Sequence, residues 1–379
     1  MKIVKRFLPA FLFVLVFLLA GCSSMGKSDV KEVITSELDL LKNLDSEKTQ
    51  EYVSYKELFP DAKDTELSTD VEEVFSLFFR NFDYKIQEIQ VDKKQKTASA
   101  SVKLSTLDAQ KLAEDFAALK LKTEIEEAAS SKNAGNFSDS TDDNYRLLNQ
   151  LLKKNKYETT EEICTMTLHY KNDAWKIDHS NALENDLVGD LITYLADPDI
   201  LSPEETMKVY LKTLKKMELE EMNNFLGIES LLTSGDTTRS AIASALVEQV
   251  HTNFNYKITE STVNGYTASV KAEITTFDSD SILDNYHEKL NDYLASADAV
   301  IDGSEKRYLK SYELLLETIE KNEDTITASA VFHLVNDGAS WKLKDASTEL
   351  GNAIFGTLIT TPVSESDSGE SLNHHALPC

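Results

Sequence analysis

The chain contains the stretch NFDYKIQE at residues 81–88 and a near copy of it, NFNYKITE, at residues 253–260. In both stretches apolar side chains alternate with polar ones, which is the two-residue period of a β-strand with one buried face. A second match follows each stretch, because residues 97–108 and 267–278 both begin with Thr-Ala-Ser and continue with alternating apolar residues. The sequence therefore predicts a β-hairpin that occurs twice.

The duplication extends beyond the hairpin and divides the chain into two copies, residues 28–197 and 198–361. Each copy is predicted to begin with a long helix, and Ser202 followed by Pro203 is a strong helix-start signal for the second copy. Another helix precedes the hairpin, and two helices, two strands and a closing helix follow it. Residues 362–379 are rich in serine and acidic residues, lack an apolar period and are predicted to be a disordered tail.

The closing strands of the two copies also share a signature. Leu168-His169 precedes Trp175 in the first copy, and Phe332-His333 precedes Trp341 in the second. We expect the two histidines to be equivalent and to face away from the core, since they have the opposite parity to the apolar residues of their strands. The two tryptophans are predicted to be packing anchors.

Composition and charge restrict the class of protein. The chain has 379 residues, of which 41% are hydrophobic and 27% charged, and this is typical of globular domains. Its formal net charge is −26, and removal of residues 1–21 would take away three further positive charges and leave −29. Because nucleic-acid binding needs a basic surface, we expect no nucleic-acid partner.

The N-terminus has the features of a secretion signal. A basic segment containing Lys2, Lys5 and Arg6 is followed by a short apolar run, and the sequence Leu-Ala-Gly-Cys ends at Cys22. This sequence resembles the lipobox of bacterial lipoproteins. The resemblance implies cleavage between Gly21 and Cys22, attachment of diacylglycerol to the Cys22 thiol, and a short tether over residues 22–27. The expected location is the extracytoplasmic face of the cell membrane, with the lipid as the membrane contact.

The remaining cysteines and the acidic stretches give no metal signature. Cys164 lies in a predicted strand and Cys379 is the last residue; a buried thiol and a tail thiol are favoured, although a disulfide between them stays open. Residues 139–143 and 278–281 are acidic and precede helices, where Asp and Ser cap backbone N–H groups. Calcium binding is the alternative at these stretches, but both lack the glycine and final glutamate of an EF-hand loop. We expect neither a metal nor another cofactor.

The order of elements, ending in an Asn-Asp turn and Trp-Lys-Ile, is similar to that of NTF2-like (cystatin-like) α+β domains. Tandem domains of this kind also resemble those of Firmicutes surface lipoproteins. The resemblance covers about residues 28–361 and implies two domains, each a curved antiparallel sheet packed on helices around a conical pocket. It implies no particular chemistry.

Candidate pocket residues follow from strand parity. Glu88 and Glu260 share the parity of the apolar residues before them, and a carboxylate on that face would have a raised pKa and could act as a general base. The alternative is that the strand has reached the sheet edge and the glutamates are solvated. Tyr84 and Tyr256 are predicted core aromatics whose hydroxyls reach the pocket rim.

Three functional hypotheses remain. The first is a lipid-anchored module that binds an unknown ligand or an envelope protein. The second is an enzyme that uses one cone with Glu88 or Glu260 as its acid–base group, and the third is a structural spacer of the cell envelope. An apolar patch exposed in the structure would favour a protein partner.

Overall fold

The computed structural model describes residues 26–43, 58–59, 62–63, 68, 73–130, 140–226, 237–356 and 358. These residues form two compact units. The first contains the described residues up to Lys120 together with residues 140–200, and the second contains residues 121–130 and those from Leu201 onward.

The first unit contains one antiparallel sheet of four strands in the order β1-β2-β3-β4. Its elements in chain order are α1 (Lys27–Lys42), α2 (Val74–Phe78) with a 3₁₀ turn (Phe79–Asn81), β1 (Asp83–Asp92), β2 (Thr97–Leu107), the first part of α3 (Ala109–Ser130), α4 (Thr141–Lys154), β3 (Thr159–Lys171), β4 (Ala174–Ile177), α5 (Asn181–Leu187) and α6 (Leu191–Leu195).

The second unit repeats this arrangement with the strand order β5-β6-β7-β8. Its elements are residues 121–130 of α3, α7 (Pro203–Leu214), α8 (Leu219–Leu226), α9 (Thr237–Asn253), β5 (Asn255–Asn264), β6 (Thr267–Phe277), α10 (Ser279–Leu294), α11 (Ala297–Ile301), α12 (Ser304–Glu320), β7 (Thr325–Asn336), β8 (Trp341–Leu343) and α13 (Ala346–Phe355). The protein therefore consists of two α+β domains, and the predicted hairpin occurs in both.

Each sheet buries one face against its helices. In β2 the alternate residues Ala98, Ala100, Val102 and Leu104 are buried, and β6 repeats the same pattern. Trp175 and Trp341 are only 5% and 3% exposed, which confirms their predicted role as packing anchors. Burial of such apolar area is the main contribution to the stability of each core.

Helix starts follow the predicted capping residues. The Ser202 side chain accepts a hydrogen bond from the backbone N–H of Glu205, and the Glu205 carboxylate accepts one from the backbone N–H of Ser202. This reciprocal capping box satisfies two N–H groups that the helix itself cannot pair. Ser140 and Asp278 cap α4 and α10, so the acidic stretches 139–143 and 278–281 contain helix caps, as predicted.

The long helix α3 contributes to both units. Its residues Ile125 and Ala129 belong to the hydrophobic core of the second unit, and the Asn224 side chain donates a hydrogen bond to the Ala129 carbonyl at 2.8 Å. The sequence repeat assigned these residues to the first copy.

One predicted helix is divided. The sequence predicts one closing helix over residues 183–195, but α5 and α6 are separated at Gly189 and Asp190, whose φ angles are +60° and +63°. Helical backbone requires negative φ, so the helix cannot continue through these two residues. The predicted signal peptide, Cys22 and the tail at 362–379 lie outside the described residues.

The expected equivalence of the two histidines is wrong. Ser99 of β2 pairs with Thr167, whereas its counterpart in β6, Ser269, pairs with His333. Strand pairing therefore makes His333 the counterpart of Thr167. The same register makes Asn336 the counterpart of Tyr170. Because Tyr170 pairs with Trp175 and Asn336 pairs with Trp341, the two tryptophans do occupy equivalent positions. The segments Leu168-His169 and Phe332-His333 therefore resemble each other only in sequence.

Candidate functional site

The two candidate glutamates do not face the apolar side of their sheets. The pairing of β1 with β2 shifts register between Ile86 and Glu88, and that of β5 with β6 shifts between Ile258 and Glu260. Such a bulge adds one residue to one strand and reverses the parity of everything after it. Both glutamates are exposed in consequence. The inward orientation inferred from simple alternation is therefore wrong for both.

The candidate tyrosines lie at the junction between sheet and helix. The Tyr84 hydroxyl donates a hydrogen bond to Asp39 Oδ1 of α1 at 2.8 Å, and burial together with this bond raises the pKa of the phenol. Tyr256 is half-buried, and burial raises its pKa as well. Both side chains also pack against the phenylalanine two residues earlier in the chain. Ligand binding by either tyrosine stays a prediction.

Both histidines point away from the core, as predicted from parity, and each is paired with a carboxylate. His169 Nδ1 contacts Asp178, and His333 Nδ1 lies 2.7 Å from Glu349 Oε1. Glu349 also accepts a hydrogen bond from the His333 backbone N–H at 3.0 Å. Each of these contacts links the strand that carries the histidine to a later segment of the same domain. The histidines therefore have a structural role.

The first unit has an open depression of about 760 Å³ at the strand ends, lined in part by Lys42, Asp83 and Tyr157. Lys42 Nζ lies 2.7 Å from Asp83 Oδ1, and this bond lowers the pKa of the carboxyl group. A second depression, of about 550 Å³, shares Tyr157 and contains Lys111 and Asp115. Sequence reasoning did not select any of these residues as site residues.

Tyr157 is the centre of a hydrogen-bond network between the two depressions. Its hydroxyl donates to Asp115 Oδ2 at 3.1 Å and accepts from the Asn155 side chain at 3.1 Å, while Lys111 Nζ lies 2.9 Å from Asp115 Oδ1. Burial raises the pKa of the Tyr157 phenol to about 12, so it is a neutral donor at physiological pH.

The described residues of the second unit do not repeat this network. Strand and helix register place Glu323 at the position of Tyr157 and Asn285 at the position of Asp115. Because both copies have the same fold, the difference lies in the side chains and not in the scaffold.

Three carboxylates approach one another near Cys164 in the first unit. Burial and the neighbouring charges of Asp190 and Asp186 raise the pKa of Glu162, and burial followed by Asp190 raises that of Asp186. Cys164 is a buried free thiol whose pKa is raised to about 11, mainly by burial. Within the ranges that the structure describes, no three His, Cys, Asp or Glu side chains are arranged to hold a metal ion.

Exposed apolar side chains are unevenly distributed between the two units. Among the described residues ten large apolar side chains are exposed, and nine of them belong to the second unit. Five of the nine lie between residues 294 and 309, on three consecutive helices, and we call them the apolar corner: Leu294, Val300, Ile301, Tyr308 and Leu309.

The apolar corner is most exposed at Val300 and Ile301, which are 84% and 79% accessible. They end the five-residue helix α11, in which only Ala299 is buried. The signal in the sequence was two adjacent apolar residues between Asp298 and Asp302, outside any helical period.

The geometry thus defines a class, a tandem pair of α+β domains of which the second exposes an apolar surface. By sequence the chain matches no protein-family model and none of the curated proteins. Among solved structures it is similar to the crystal structure of ycdA, a proposed lipoprotein of Bacillus subtilis, with 12% identity and a TM-score of 0.26 over 72% of this chain and 96% of that chain. None of the helices in the described ranges is long and apolar enough to cross a membrane.

Proposed function

We propose that this chain is a lipid-anchored, extracytoplasmic lipoprotein that binds a protein partner through the apolar corner of its second domain. The single observation that supports this is the exposure of Val300 and Ile301 among further apolar side chains of α10–α12. Monomeric proteins seldom leave adjacent large apolar side chains so fully in solvent, and exposed apolar surface commonly marks an interface.

The surroundings of the corner suggest what the partner presents. Lys306 and Arg307 are exposed at the start of α12 and Asp298 is exposed on α11, so charges of both signs lie within six residues of Ile301 in the sequence. An apolar centre with a charged rim of both signs is typical of a protein interface. We infer that the partner offers an apolar patch whose rim carries charges of both signs.

The anchor and the finer fold class are parts of the same proposal. The lipobox-like sequence ending at Cys22 supports lipid attachment. A helix packed on a four-stranded antiparallel sheet in each domain supports the NTF2-like assignment. The enzyme hypothesis loses its geometric support because Glu88 and Glu260 are on the exposed face of their strands.

A pair of matched variants tests the proposed function. Val300→Ser combined with Ile301→Ser removes the most exposed part of the corner, and Ile163→Ser removes a side chain that is 65% exposed in the first domain. All three residues are accessible, so each change in folding free energy should stay within about 0.5 kcal/mol. Full-length protein carrying an affinity tag is crosslinked on intact cells and purified under denaturing conditions.

We expect a discrete protein partner to copurify with the wild-type chain and with Ile163→Ser, and to be lost from the Val300→Ser/Ile301→Ser variant. Recovery of the same proteins with all three chains would contradict the proposal. Melting curves of both variants check that the fold is intact.

A further inference from the structure

One edge of the second sheet is unoccupied in the part of the chain that the structure describes. The last strand, β8, pairs with β7 only from Leu334 to Asn336, although β7 begins at Thr325. The next backbone groups are also satisfied, because the His333 carbonyl accepts from Lys344 and its N–H donates to Glu349. Nothing in the described ranges pairs with the outer side of residues 325–331.

The direction of the free backbone groups follows from these contacts. Asn336 donates its N–H toward the β6 side, to Tyr266, whereas His333 directs its backbone groups to the other side. Alternate residues of a strand point the same way, so the odd-numbered residues from Thr325 to Val331 direct their N–H and C=O groups to the open edge. Six of the seven residues in this run are exposed, and Ala330 is half-buried.

The open edge has no charged side chain. Residues 325–331 read Thr-Ile-Thr-Ala-Ser-Ala-Val in a chain whose net charge is −26. Natural sheets commonly protect such edges with charges, and a flat, uncharged, β-branched edge is a template for pairing with another strand.

In the first domain the corresponding edge, that of β3, carries charged side chains. The pairing of β2 with β3 matches Glu161 and Glu162 to the positions of Thr327 and Ala328. Both glutamates are solvent-accessible, and Glu162 in addition interacts with the Asp190 carboxylate described above. Of these two equivalent edges only that of β7 lacks charged side chains in the described residues, so pairing through it joins two molecules in a closed pair.

We propose that two copies of this chain dimerise by antiparallel pairing of their β7 strands about a two-fold axis at Ala328. In this register Thr327 faces Ser329 of the second copy, Ile326 faces Ala330, and Thr325 faces Val331. The four odd-numbered residues of each strand would exchange about eight backbone hydrogen bonds, two for each bonded pair.

Charge favours a second copy as the occupant. The run itself is neutral, so pairing two copies of it places no like charges opposite each other. The small side chains of Ala328, Ser329 and Ala330 allow close approach at the axis.

The first test introduces negative charge into β7, at the positions where the first domain has glutamates. Thr327→Glu combined with Ala328→Glu transfers the glutamates of β3 to β7 and places like charges across the axis. Analytical ultracentrifugation of the full chain in detergent should show a dimer for the wild type and at least about a tenfold larger dissociation constant for the variant. Val300→Ser/Ile301→Ser should remain dimeric, which separates this proposal from the proposed function.

The second test does not depend on the stability of that variant. In a Cys379→Ser background, Ala328→Cys puts one thiol on the axis, where paired Cα atoms lie about 4.5 Å apart, within disulfide range. Mild oxidation should give a covalent dimer with Ala328→Cys and much less with Glu162→Cys, its counterpart in the first domain. A monomeric wild type, a dimer that survives the two glutamates, or equal crosslinking at residues 162 and 328 would overturn the proposal.

Discussion

The phenol of Tyr157 donates a hydrogen bond to the Asp115 carboxylate at 3.1 Å, and burial holds its pKa near 12. A group whose pKa is raised by folding stabilises the folded state below its unfolded pKa, here about 10, and this contribution is lost as the pH rises through the folded value. Between pH 10 and 12 the wild type should therefore lose more stability than Tyr157→Phe. Urea unfolding at pH 9 and pH 11.5 measures the difference, and parallel losses in both proteins would contradict the assignment.

At Gly189 and Gly356 the backbone passes close to a side chain of the same domain. Their φ angles are +60° and +54°, and a Cβ at these positions would lie 2.6 Å from Thr106 Oγ1 and 2.5 Å from Ser279 Oγ, respectively. Replacing either by alanine should cost about 2–4 kcal/mol, from left-handed backbone strain and from overpacking.

Two other glycines provide controls for this prediction. Gly265 has a φ of +60° but no neighbour within 4 Å of a Cβ, so its alanine variant should cost only about 1 kcal/mol. Gly351 lies inside α13 with open space, and alanine there should stabilise by about 1 kcal/mol. Equal urea midpoints for all four variants would exclude the proposed close contacts.

Neutralising the candidate glutamates should change little. Glu88→Gln and Glu260→Gln alter exposed side chains on the outer face, so the free energy of unfolding should shift by less than about 0.5 kcal/mol. Partner recovery in the crosslinking experiment should equal that of the wild type. Loss of a cellular phenotype with either variant, at unchanged stability, would restore the enzyme hypothesis.

The Cys164 thiol should react slowly in the folded protein. Its pKa of about 11 leaves about one thousandth as thiolate at pH 8, and the side chain is buried. In a Cys22→Ser/Cys379→Ser variant, whose remaining thiol is Cys164, labelling with an aromatic disulfide reagent should require unfolding by urea. Fast labelling without denaturant would show that the first core opens readily around β3.

The sequence predicted the repeated elements because both copies obey local rules. Strand alternation marked β1, β2 and their counterparts, and Ser202 with Glu205 marked the start of α7. The burial of Trp175 and Trp341 was also predicted from the repeat.

What the sequence did not predict depends on pairing between strands. The bulges at Glu88 and Glu260 are visible only in the register with β2 and β6, and they reverse the face on which each side chain lies. Likewise, the similarity between His169 and His333 was misleading because pairing with the neighbouring strand, and not local sequence, determines equivalence. The Tyr157 network joins residues 42 positions apart, which no local pattern reports.

Photocrosslinking from the apolar corner on intact cells tests directly whether the second domain binds a partner protein. A benzophenone side chain is placed at residue 300 in one chain and at residue 163 in the other, both highly exposed positions in the native protein. We predict one discrete adduct with a different protein from residue 300 and none of that mass from residue 163. Identical adduct patterns from both positions, or an adduct from residue 300 with twice the mass of the chain itself, would contradict the claim that the second domain binds a partner protein there.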